Sequence, residues 1–379
     1  MKIVNMRLHG ATRRLSTVVI FILMAVSICL PACAAPSDVY ASAPAAAMKL
    51  VQFCSNPKTG LDFQAVTTLA DYVLSSKSKR ETALPQFQDS SGAYSEFDTR
   101  ITFPNLLEYS YNPLIPSALT RPSSMRYSLW TGPQGESKNM PDISKMPAAA
   151  EPVVIHGLQR DSNTPDLTTG VYHEYDLKRT LILFNHKGRR SLLSISKQIR
   201  PSDVGKKGAI LGNDDQWNYY YSGEPGSSMT GLGWVKSYIY DYFSVIVYVD
   251  SGGLPATVRT GVFQWLRAGW SGINFVKTGH ILDGMKRFSR DSKAILEAPN
   301  LPAPVQVVSA YQRLLGLPHP DLTEKYIALR LAQQSSALQA GKITTKEVKK
   351  QDFSAKVPRE QMLEELMVEY LKTTLGKHS

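Results

Sequence analysis

Cysteine is scarce. Only Cys29, Cys33 and Cys54 occur in 379 residues, which excludes a disulfide-stapled scaffold and leaves packing to hold the fold. Long apolar runs are missing too. The longest, residues 17–30 (TVVIFILMAVSICL), falls short of the roughly 20 residues that a membrane-spanning helix needs. No internal repeat is visible, which excludes solenoids and propellers. Acidic residues are outnumbered, with Lys and Arg at 43 against 32 Asp and Glu. Charged residues at 20% and hydrophobic ones at 43% exclude a disordered chain. The length supports a sizeable core.

What is present begins with an address. Residues 1–16 carry Lys2, Arg7, Arg13 and Arg14 and no acid, and the apolar run and the small-residue stretch PACAAPS follow. A basic start, a short apolar segment and an A-x-A-like end read as a secretory signal peptide over 1–34. An uncleaved N-terminal anchor is the alternative. Removing 1–34 lowers the net charge from +11 to +7. That suits anionic head groups or wall polymers, and export argues against a nucleic-acid partner.

Leu30-Pro31-Ala32-Cys33 resembles the bacterial lipobox, in which a Leu three residues before a Cys and a small residue just before it direct lipid attachment to that Cys. The resemblance covers four residues and departs from the pattern at Pro31. It implies an exported lipoprotein anchored through Cys33, periplasmic or on the outer membrane facing the periplasm. Ordinary cleavage at Ala32-Cys33-Ala34 explains the same letters. Residues 35–50, rich in Ala and Ser and poor in charge, read as a flexible tether. Cys54 is then a lone thiol with no activating neighbour, a buried apolar position.

Residues 51–150 read as an N-terminal helix, LDFQAVTTLADYVLSS at 61–76, and a Pro-rich wrapping segment. Residues 151–299 read as an antiparallel sheet with a covering helix. Strand-like runs follow one another with short turns, Lys187-Gly188 marking a tight hairpin, and no long helices separate them, which argues against a parallel nucleotide-binding sheet. The helix over about 271–297 has Ile273, Val276, Leu282, Met285, Phe288, Ile295 and Leu296 on its apolar side and Lys286, Arg287, Arg290 and Lys293 on the other. Residues 300–379 read as a helical tail. The expected fold class is α+β. The element order, a meander followed by a long helix, is similar to START-like helix-grip lipid-binding folds, which implies a ligand held between sheet and helix.

Several motifs fail on inspection. In GEPGSSMTGLGW (223–234) no Lys-Ser/Thr pair follows Gly231, so a phosphate loop is excluded. Thr230 stands where a nucleophile elbow around Ser228 needs glycine. The stretch reads as a loop between strands, with Gly226, Gly231 and Gly233 as hinges of a candidate lid. His173-Glu174 lacks the second His of a zinc helix, and no metal or other cofactor is expected. Ser76-x-x-Lys79, Ser110-x-Asn112 and Lys277-Thr278-Gly279 match an acyl-serine trio in order but not in context, so no catalytic residue is assigned and a hydrolase stays an outlying alternative.

The aromatics remain. Trp217, Tyr219 and Tyr221 alternate; Trp234, Tyr238, Tyr240, Tyr242 and Tyr248 share a parity; Val235, Ile239, Phe243, Val245, Val247 and Val249 share the other. With period two this gives an aliphatic face and a Tyr-rich face, with a bulge near Asp241. The Tyr-rich face is either a core face under the helix or the lining of a site for an amphipathic small molecule or lipid. The leading expectation is a non-catalytic envelope protein binding such a ligand. A structural or interaction role in the envelope is the alternative, and no oligomeric state follows from the pattern.

Overall fold

The computed structural model describes residues 36–76, 80–135, 138, 140–146, 151–229, 233–348 and 357–377. The signal segment, Cys33, Lys79 and Gly231 lie outside the described residues. The chain from Pro36 onward forms one compact unit.

The tether reading of 35–50 is corrected. Helix α1, Pro36–Ser55, buries Ala43, Ala46, Ala47, Leu50 and Val51. Alanine is the strongest helix former and its small side chain allows close packing. Helix α2, Phe63–Leu74, starts where Asp62 accepts the Ala65 amide at 3.0 Å, an N-cap. The supposed wrapping segment is also structured. It supplies β1 (Glu81–Phe87), β2 (Ser90–Thr99), helix α3 (Phe103–Tyr111), the turn Ser117–Thr120 and β3 (Met125–Thr131).

The remaining strands are β4 (Val153–Asn163), β5 (Val171–Tyr172), β6 (Glu174–His186), β7 (Arg189–Gln198), β8 (Lys206–Ile210), β9 (Tyr219–Pro225), β10 (Ser227–Met229), β11 (Gly233–Val235), β12 (Tyr238–Gly252) and β13 (Thr257–Gly269). Eight of the strands form one antiparallel sheet in the order β1-β2-β13-β12-β7-β6-β4-β3. From β3 to β13 it is a meander, and the β1–β2 hairpin adds to its β13 side. Lys187 and Gly188, at φ 51° and 76°, close β6 onto β7 with His186 opposite Arg189, the left-handed geometry of a two-residue hairpin turn.

Both faces of the sheet are covered. Phe243, Val245, Val247 and Val249 pack on α1 and α2, as the parity of β12 predicts. Ile246, Tyr248, Leu181 and Leu192 face α3 and helix α4, Thr278–Leu296. The predicted bulge lies between Ile239 and Asp241. It flips the parity, so Ile239 joins Tyr242, Tyr175 and Leu177 on the α4 side.

Helix α4 is shorter than 271–297, and its basic side is not a free cationic surface. Arg287 and Arg290 both pair with Asp214 at 2.6 Å, and Lys293 pairs with Glu297 at 3.3 Å. The tail folds as α5 (Pro304–Leu315), α6 (His319–Gln339), α7 (Thr345–Val348) and α8 (Arg359–Thr374). A buried cluster docks it. Glu365 on α8 pairs with Arg126 on β3 at 2.8 Å and approaches Arg330 on α6 at 3.7 Å, while the Tyr326 hydroxyl and the Gln361 amide donate to its Oε1. The fold is α+β, an antiparallel meander covered by a long amphipathic helix with a helical C-terminal tail.

Candidate functional site

The aromatic residues do not line one continuous surface. Trp217 and Tyr219 are buried beneath α4, where the Trp217 indole N–H donates to Asp291 at 3.2 Å and the Tyr219 hydroxyl to Asp214 at 2.8 Å. Tyr221 lies under the Arg126 guanidinium, 4.1 Å from the ring centre, and edge-on to Tyr172. These residues flank or belong to β9, which sits with β5 and β8 in a second, three-stranded sheet, so WNYYY does not extend the Tyr side of β12. Tyr242 meets Tyr175, and Tyr248 meets Tyr111. Each buried hydroxyl needs a partner, and for Tyr219 and Tyr326 a carboxylate of the core supplies it. Tyr238 and Tyr240 stack on one another at the start of β12, half-buried.

The glycine-rich stretch is a short ribbon. Ser227–Met229 pairs antiparallel with Gly233–Val235. Gly226 and Gly233 have positive φ. The Gly226 amide donates to Gly205 O at 2.6 Å, and a Cβ on Gly226 would lie 2.3 Å from the Trp234 indole nitrogen. Trp234 is otherwise 51% exposed.

Among the described residues, the most site-like cavity, about 230 Å³, opens beside this ribbon, at the end of the sheet where β13 runs toward α4. Leu266 and Ala268 on β13, with Trp270, Phe275 and Val276 after it, form its apolar side. Trp270 and Phe275 stack with centroids 3.9 Å apart. The connection is tied back to β13: Phe275 N donates to Ala268 O at 2.9 Å, and Asn274 Oδ1 accepts the amides of Ala268 and Val276. Ile273 and Phe275 stay exposed at 55% and 41%, giving this end of the sheet an apolar margin.

The other side is polar, made by Asn163, Asp166, Thr169 and His173 from the β4–β6 connection and by Ser237 before β12. Asn163 Oδ1 accepts the His173 amide at 2.6 Å, and Ser237 Oγ lies 3.4 Å from His173 Nε2. Desolvation pushes the imidazole down to about 4, against the pull of Asp166 and of the hydrogen bond to Ser237, so the ring is neutral at physiological pH. Gly205 makes this wall possible: a Cβ there would stand 2.5–2.6 Å from Val171, His173 and Ser237.

A Ser–His pair invites comparison with a nucleophile and base. Asp166 does not complete it, since its Oδ1 accepts from the Thr168 and Thr169 amides and the Thr169 hydroxyl. An imidazole near 4 is also a poor base at neutral pH. The S-x-x-K alternative fares worse. Ser76 donates to Glu96 and follows α2, on one face of the sheet, whereas Ser110 belongs to α3 on the other. No group of His, Cys, Asp and Glu among the described residues could hold a metal ion. Glu174 and Asp176 are taken by Arg160, and His186 by Asp71.

Of the sequence-level candidates among the described residues, only Tyr238 lines this cavity, with Val235 of the ribbon beside it. His173, Ser237, Ala268 and Trp270 were missed as a group because three segments far apart in the chain supply them. Two roomier clefts, about 620 and 510 Å³, are open grooves beside Asn300.

Neither a family model nor a curated protein matches the chain. Among solved structures, it is similar to one described as the human StarD13 (DLC2) lipid transfer and protein localization domain. The identity is 10% and the TM-score 0.27, over 61% of this chain and 95% of that one. A likeness this weak carries no functional argument.

Proposed function

We propose that the protein binds a small amphipathic molecule, without chemical conversion, in the cavity between the end of β13 and the first turn of α4. The observation that carries this reading is the division of the cavity into an aromatic and aliphatic side and a side of hydrogen-bonding groups that includes one carboxyl, Asp166. Ligand sites are commonly apolar with a few placed polar groups. The cavity suits a short chain or small ring with one polar end, not a two-chain lipid. The β10–β11 ribbon with Gly226, Gly231 and Gly233 is the element proposed to gate it. Among the described residues no helix is long and apolar enough to cross a membrane. Export through segment 1–34, and a lipid on Cys33 holding the cavity near a membrane on the periplasmic side, belong to the same proposal.

The test uses Trp270 as reporter. Titration of the purified chain with straight-chain alcohols and fatty acids of six to twelve carbons should change its fluorescence saturably. Ala268→Phe, which fills the cavity, should abolish the change while leaving the far-UV spectrum intact. An identical titration in both proteins ends the reading.

One observation favours a second reading, an interaction protein of the envelope. Val305 and Leu315 on α5 and Leu331 and Leu338 on α6 are exposed, Val305 at 69%. Binding of a partner protein that survives Ala268→Phe and is lost on Leu331→Glu would favour it.

A further inference from the structure

Buried arginines in this protein are paired almost everywhere: Arg126 and Arg330 with Glu365, Arg287 with Asp214. Two others, one buried and one half-buried, are not. Arg179 on β6 is 6% exposed, and its Nη1 donates to Ser196 Oγ at 2.5 Å. Arg121, half-buried just after the Ser117–Thr120 turn, reaches among the described residues only Ser117 Oγ, at 3.5 Å. Neither forms an ion pair among the described residues, and the Nε of each is buried without a partner. Both line one small cavity between the sheet and α4, with Gln159, Tyr111, Tyr248 and Trp130. Gln159 Oε1 is likewise buried and unpartnered.

An isolated buried cation is costly, so a partner is expected where two guanidinium groups converge. Asp161 on β4 is close enough to act through space, but its Oδ1 is engaged by the Ser128 hydroxyl at 2.6 Å. The second nearby carboxyl, Glu364, is pushed by burial up to about 8, so it is mostly uncharged at neutral pH. Two cations then face one anion. The cavity is about 20 Å³, room for one or two water-sized bodies.

We propose that Arg121 and Arg179 form an internal binding site for one monovalent anion, a halide or the carboxylate of a small organic acid. The size excludes a lipid phosphate group with its substituents, and the charge balance excludes a dianion. The guanidinium groups donate, the Tyr111 and Tyr248 hydroxyls, hydrogen-bonded to each other, leave one O–H between them to add, and Trp130 helps to close the cavity. This site lies inside the sheet–α4 layer, stands on a different observation from the cavity at the end of β13, and does not depend on it.

The first test is diffraction at the bromide edge from crystals of the full chain soaked in sodium bromide. An anomalous peak between Arg121 and Arg179 is expected; water alone there at saturating bromide overturns the proposal. The second is thermal melting in anion-poor buffer with added chloride, formate or acetate, against sodium sulfate at equal ionic strength. Tm should rise and saturate with a monovalent anion but not with sulfate. Formate or acetate displacing bromide from the peak identifies a carboxylate as the occupant, and failure to displace it identifies a halide.

Arg179→Met separates this from a structural role. It removes an unpaired charge, so it should be at least as stable as the native chain without added anion and should lose about tenfold or more in halide affinity. Saturable stabilisation that survives in Arg179→Met overturns the assignment. Arg200→Gln, a change at a 59% exposed side chain, should leave the anion response unchanged.

Discussion

Glu364 carries a stability change that can be measured by pH alone. The carboxyl on α8 is buried against β3, where it accepts the Ser128 amide at 3.2 Å. Burial, with Asp161 and Glu365 nearby, pushes it from 4.5 up to about 8, against the Ser128 hydrogen bond and Arg121. Because the folded-state value is raised, the stabilisation is fully present below about pH 4.5 and is lost as pH rises through 8. At 1.36 kcal/mol per pH unit the full window is worth about 5 kcal/mol, and the interval from pH 5.5 to 8 about 3 kcal/mol. Glu364→Gln keeps an acceptor for the Ser128 amide and has no proton to lose. Urea denaturation of both chains at pH 5.5, 7 and 8 isolates this carboxyl, because other titrating groups are common to both. The native chain should lose stability relative to Glu364→Gln as pH rises. Parallel stability curves would refute the reasoning and place the carboxylate in contact with water or an unrecognised cation.

Two further perturbations probe the docking of the tail and the core. Arg126 and Arg330 outweigh the burial of Glu365 and hold its carboxyl below the usual range, so its contribution is present above about pH 4.5 and fades as pH falls through the lower folded value. Glu365→Gln leaves two buried arginines without a counter-charge and should cost about 3–5 kcal/mol in chemical denaturation at pH 7; a loss under about 1 kcal/mol would show that the tail is not held by this cluster. Cys54 is 2% exposed, and burial pushes its thiol up, so thiol-specific reagents should label it only at the rate of opening or unfolding and completely in denaturant; rapid stoichiometric labelling of the native chain would contradict its place in the core.

How much was legible depended on whether the signal was local. The Lys187-Gly188 turn, the α2 helix and the aliphatic parity of β12 were readable because each is set by neighbouring residues. The bulge near Asp241 was foreseen, but its consequence for Ile239 was not, since a parity flip shows only in pairing with Ala268 and Arg267. β2 escaped because SSGAYSEFDT offers Ser, Gly and Ala where strand readings look for β-branched residues; it is buried on both faces and held by β13 and β1. α1 escaped because an Ala-rich stretch reads equally as linker and as tightly packing helix. The cavity was illegible, being assembled from positions far apart in the chain. Arg179 left a trace, for it shares the parity of Leu177, Leu181 and Leu183 and so points a cation inward.

The most direct test of the binding proposal is native mass spectrometry of the full chain purified gently from its source, beside Ala268→Phe treated identically. The account predicts one small amphipathic molecule per native chain, removed by organic extraction and missing from Ala268→Phe. A ligand-free native chain that also takes up none of the added six- to twelve-carbon compounds, or the same adduct on both proteins, would contradict it.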